Sequence, residues 1–130
     1  MKLFDTLKKN AQEKKENEEK FNKMWELWVE GKIPSPYADL MTYQSEVNNG
    51  GHAQFFHNVS STGHLRAVMK ELNKVLPFDT KPALVEAYYA YLVNGADAEE
   101  NESFFDAADE LFHKKEKMIH KILVEYSKKL

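Results

Sequence analysis

Between His64 and Pro77 the apolar residues Leu65, Val68, Met69, Leu72, Val75 and Leu76 fall so that each has another three or four positions away. That spacing lays them along one side of a helix and fits no strand, whose side chains alternate with period two. The same signature repeats along the chain. Phe21, Met24, Trp25, Leu27 and Trp28 form one stripe, Leu40, Met41, Tyr43 and Val47 a second, and Leu84, Ala87, Tyr88, Tyr91 and Leu92 a third. The longest runs from Phe104 through Phe105, Ala108, Leu111, Phe112, Met118, Ile119, Ile122 and Leu123 to Tyr126. Its charged interval HKKEK (113–117) marks a place for a break or a bend. No useful length of chain alternates. The expectation is an all-α fold, a single compact domain of five to six helices.

Punctuation divides these stripes. Gly31 and Pro34 end the first helix, and Ser35 is placed to cap the next, with Pro36 at its first helical position. Pro77 closes the helix that follows the central motif. Thr80 caps the next one, with Pro82 in its first turn and Gly95 just past its end. Asn49-Gly50-Gly51 makes a glycine-pair corner in the middle of the chain. Residues 8–20 are apolar only at Ala11, so residues 1–20 read as a charged N-terminal helical arm and residues 21–130 as the helical domain.

The 130 residues suffice for one core without covalent staples. There is no cysteine, hence no disulfide framework, thiolate zinc site or cysteine nucleophile. No apolar run has signal-peptide or membrane-span length, so a cytoplasmic protein with no membrane contact is expected. The net charge of −3 is small, but its distribution is polarised. Residues 77–112 carry nine acids against Lys81 alone, and residues 113–130 carry six lysines against two glutamates. Such patches steer association without naming the partner.

Few residues assemble into a reactive set. His52, His57 and His64 cluster near the corner, but His52 and His57 are five apart and diverge on a helix. Glu110 and His113 supply one copy of a Glu-x-x-His element, where a di-metal site needs two. Ser60, Ser61 and Thr62 beside His57 and His64 read as a loop capping the next helix rather than a nucleophile with its base. NNGG has no preceding strand and no following Lys-Ser/Thr, so it is no phosphate loop. The terminal lysines read as a solvated face on an otherwise acidic chain. We expect no enzyme, metal or cofactor, and no direct nucleic-acid binding.

The stretch EVNNGGHAQFFHN, Glu46 to Asn58, is the least ordinary. Gly50 and Gly51 let the chain reverse. Asn49 suits a left-handed position or a helix cap, Gln54 reaches back to unpaired loop backbone, and Asn58 terminates the short helix or caps the turn after it. Phe55 and Phe56 drive into neighbouring helices. On that reading the corner is a stiff brace. On the alternative, the amides line a shallow recognition patch with Glu46 and His52.

The same thirteen residues resemble the signature of a bacterial family of uncharacterised helical domains, Glu-x-x-Asn-Gly-Gly-x-x-Gln-aromatic-aromatic-x-Asn. The resemblance is compatible with the helix order over residues 20–130 and carries Glu46, Asn49, Gly50, Gly51, Gln54, Phe55, Phe56 and Asn58 over as motif positions, with no catalytic role. One studied member is described as a DNA mimic that binds a transcription factor in place of DNA, so the resemblance implies a protein partner, including a DNA-binding regulator. The acids Asp97, Glu99, Glu100, Glu102, Asp106, Asp109 and Glu110 are the expected partner-binding surface. The function expected is a non-enzymatic, regulatory protein-binding module. The alternatives are a DNA mimic, a toxin-neutralising immunity-like protein and, lower, a metal-dependent enzyme. Either a monomer or a homodimer fits, with the apolar Phe4 and Leu7 at the end of the arm offering a dimer contact.

Overall fold

A computed structural model describes residues 2–130. Five α-helices follow one another: α1 (Lys2–Val29), α2 (Tyr37–Ser61), α3 (Leu65–Val75), α4 (Lys81–Asn94) and α5 (Glu102–Ser127). Single 3-10 turns at Phe78–Thr80 and Glu99–Asn101 lead into α4 and α5. There is no strand among the described residues, and no helix there is long and apolar enough to cross a membrane.

α5 is the axis of the domain, packed against α1, α2 and α4. Phe105, Phe112 and Ile119 recur every seven residues, with Ala108 and Leu123 on the same side, and all five are buried. Phe112 and Ile119 bridge the HKKEK interval on the buried side, so α5 runs through it without a break. Around α5 the core closes with Met24, Leu40, Met41, Tyr43, Phe55, Phe56 and Leu72. Aromatic rings knit it: Phe56 stacks on Tyr91 at 5.3 Å and leans on Phe105, while Tyr43 meets Phe55 edge-on at 4.9 Å. Offset and edge-to-face pairs of this kind add about 0.5–1.5 kcal/mol each beyond their buried area.

Several local expectations are corrected. Ser35 does not cap α2; the Pro34 and Pro36 carbonyls instead take the Ala38 and Leu40 N–H groups at 3.0 Å. Thr80 precedes α4 without capping it, because its hydroxyl turns back to donate to the Pro77 carbonyl at 2.7 Å. Phe104, Met118 and Leu92, assigned by periodicity to buried stripes, are exposed. The charged residues 2–16 form the solvent-exposed first part of α1, which continues unbroken into the domain. Gly31, at φ +73°, ends it as the sequence implies.

Candidate functional site: the glycine corner and the acidic turn

α2 is bent at its middle. Gly50 (φ −155°, ψ 20°) and Gly51 (φ 73°, ψ −174°) leave helical geometry, and the helix resumes at His52. A straight helix would put residues 46 and 54 about 12 Å apart along its axis, and 46 and 58 about 18 Å. In the bent one, a single carboxylate oxygen, Glu46 Oε2, accepts from both Gln54 Nε2 and Asn58 Nδ2 at 2.8 Å. The bend is what makes those two bonds possible. Gly50 leaves room for the crossing: a Cβ there would collide with the Gln54 side chain.

Gly51 answers a different demand. Its positive φ is costly for any residue with a side chain, and a Cβ would lie 2.7 Å from Asp109 Oδ2 on α5. Asp109 comes this close because its other oxygen, Oδ1, accepts the His52 backbone N–H at 2.8 Å and meets His52 Nδ1 at 2.6 Å. A carboxylate from another helix thus caps the restarted half of α2, where the N-terminal dipole favours negative charge.

His52 is wholly enclosed, at 0% exposure. An ionised Asp109 only accepts, so Nδ1 donates to it. With Nδ1 donating, Nε2 accepts the hydrogen bond that the Tyr43 hydroxyl donates across 2.6 Å. Burial, with the Asp109 charge adding, pushes the Tyr43 pKa far up, which keeps the phenol protonated and donating. Partial burial pushes the Asp109 pKa up, but hydrogen bonds from the His52 ring and backbone outweigh it and hold it below the ordinary 3.8. Tyr43, His52 and Asp109 form one continuous chain of satisfied polar groups running from the apolar core to the partly exposed Asp109. Leaving any of them unpartnered would cost about 1–3 kcal/mol.

These placements revise the sequence reading. His52 is no surface histidine and belongs to no recognition patch with Glu46; both its ring nitrogens are taken inside the core. His57, His64, His113 and His120 are exposed. Gln54 and Asn58 bond a carboxylate, not loop backbone, and the helix runs past Asn58 to Ser61. Asn49 is exposed and takes neither role foreseen, since Gly51 holds the left-handed position and Asp109 does the capping. Glu110 and His113 do not act together, Glu110 lying 3.5 Å from Lys114 and His113 3.7 Å from Glu116. Among the described residues, no three His, Cys, Asp or Glu side chains gather to hold a metal ion.

Asp109 is likewise withdrawn from the acidic row: its side chain is only 31% exposed and is committed to His52. Asp97, Glu99, Glu100, Glu102, Asp106 and Glu110 remain exposed. Asn101 braces the turn that presents them. It is fully buried, donates to the Gly95 carbonyl at 2.6 Å and accepts from Asn94 at 2.9 Å. The parts of Tyr43, Asp109 and Asn101 were missed in the sequence. Tyr43 sat in an apolar stripe, and nothing local links Asp109 to a histidine 57 residues away.

An all-α domain whose second helix is broken at a glycine pair and locked by buried polar groups is thus the class defined. Residues 36–129 match the family model described as DMP19-like protein, and the chain belongs to that family. The match begins at Pro36, leaving α1 outside it. No significant match was found among curated proteins or solved structures.

Two outcomes test the corner. Gly31 also has φ +73° but open space around it, so Gly31→Ala should cost about 1–2 kcal/mol. Gly51→Ala should cost about 1.5–3 kcal/mol more in urea titrations, because it also displaces Asp109; equal costs would contradict the contact. The Asp109 pKa is lower folded than unfolded, so its stabilisation is full above the ordinary carboxylate range and fades as pH falls through it. The stability gap between wild type and Asp109→Asn should therefore narrow on acidification, and a gap independent of pH would contradict the assignment.

Proposed function

We propose that this protein is a non-enzymatic binding module that recognises a cationic protein surface through its acidic turn and the first turns of α5. One observation carries the reading. Asp97, Glu99, Glu100, Glu102 and Asp106 are exposed, and among the described residues none has a cationic side chain within ion-pair distance. Exposed acids scattered for solubility are ordinarily interspersed with lysines, as on α1. Here like charges stand together on a turn already ordered by Asn101, so little ordering entropy is lost on binding. The enclosure of His52 also supports binding over catalysis, since no substrate reaches that imidazole.

A narrower version has a DNA-binding regulator as partner. Glu102 and Asp106 stand one turn apart, about 6 Å along α5, with Glu110 a turn further on beside Lys114, giving a row of spaced carboxylates. The motif's resemblance to a family with a DNA-mimic member favours the same reading.

Affinity capture tests both versions. Immobilised wild type should retain a basic protein from host lysate that salt elutes, and Glu99→Lys/Glu100→Lys/Glu102→Lys, equally helical by circular dichroism, should lose it. Duplex DNA should compete for that protein if it is a regulator. Retention by both forms, or by neither, overturns the acidic surface.

A further inference from the structure

α4 has no polar side. Between Pro82 and Val93 its only charged residue is Glu86. A helix apolar all round is normally buried on every face, and Leu84 and Ala87 do face the core. Yet Val85, Tyr89 and Leu92 look outward along one strip, Tyr89 at 62% exposure and Leu92 at 56%. Scattered exposed apolar residues need no explanation, but a strip along a groove marks an interaction site. This strip forms one wall of a groove of about 970 Å³ between α3 and α4.

The opposite wall is basic. Arg66, Lys70 and Lys74 stand one turn apart along α3 and all line the groove, and no carboxylate lines it. Lys74 is paired with Glu71 at 2.9 Å. Arg66 and Lys70 have no acidic side chain within ion-pair distance among the described residues. An occupant must therefore offer apolar side chains to Val85, Tyr89 and Leu92 and carboxylates to Arg66 and Lys70.

We propose that the α3–α4 groove is a docking site for an acidic amphipathic helix of a partner protein. The eleven residues of α3 make a wall about 16 Å long, enough for three turns of a bound helix. An apolar stripe at i, i+3, i+4 and i+7 would lie along α4, and glutamates on its flank would face α3, the geometry of helix-in-groove recognition. Tyr89 supplies a wide, stiff contact at small entropic cost. A second copy packed on this face about a two-fold axis covers it less well: α4 would meet an equivalent α4, leaving Arg66 and Lys70 without carboxylates along the strip. The groove shares no residue with the acidic turn, so the two proposals stand or fall separately.

The test uses the full chain and a fluorescent peptide of about fifteen residues with leucines at i, i+3, i+4 and i+7 and glutamates elsewhere. Its counterpart carries lysine for every glutamate. Anisotropy should show salt-sensitive binding of the acidic peptide and none of the basic one. Arg66→Glu/Lys70→Glu should weaken the acidic peptide by about tenfold or more and admit the basic one. Tyr89→Ala should weaken binding while keeping its salt dependence. Both variants alter exposed side chains, and circular dichroism verifies their fold. Equal binding of both peptides, no binding of the acidic one at about 1 mM, or binding untouched by either variant overturns the proposal. So does a wild-type dimer in sedimentation that Tyr89→Glu dissociates, which would assign the groove to a second copy.

Discussion

One carboxylate fixes how the two halves of α2 meet α5. Asp109 Oδ1 accepts both from the backbone of His52, where the helix restarts, and from the His52 ring. These bonds set the position of the corner on α5. From there Phe55 and Phe56 follow by helical geometry into the core, where Phe56 reaches Tyr91 and Phe105. The imidazole passes the constraint on to Tyr43 in the first half of α2. One polar chain therefore clamps both arms of the bend to the central helix. On the outside, Glu46 clamps the same bend through two amides. The inner set is the stronger constraint, because Tyr43 and His52 are enclosed and have no water to fall back on.

Much of this was legible in the residues, and the parts that were not share a cause. The helices announced themselves because a packed stripe repeats locally, and local repetition is visible in one dimension. The glycine pair announced a bend for the same reason. What failed was assignment of partners across the fold. His52 and His57 look alike in sequence, yet only His52 follows the left-handed glycine and turns inward. Asp109 looked like one acid among seven because its partner lies on another helix. The amides of Gln54 and Asn58 were read as bracing backbone, whereas the bend carries both to Glu46. Leu92 was read as buried because periodicity finds a stripe but cannot say which side of an all-apolar helix is covered.

The surface is as divided as the sequence. Acids gather on the turn before α5 and on its first turns, and cations line the α3 side of a groove with an apolar α4 wall. Both features lie within the segment that matches the DMP19-like family. We infer a module with two faces of opposite charge, one proposed for a cationic protein and one for an acidic helix. The locked corner gives these faces a fixed scaffold. Its polar groups are spent on structure, which is why the functional proposals rest on the surface rather than on His52.

The central claim is that the His52 side chain and Asp109 are one energetic unit, and a double-mutant cycle reads that directly. Stability would be measured for wild type, His52→Leu, Asp109→Ala and the double variant. The two single costs should exceed the double cost by about 1 kcal/mol or more, because each single change strands a polar partner. Costs that add within about 0.5 kcal/mol would mean the two side chains act independently, and the clamp described here would not exist.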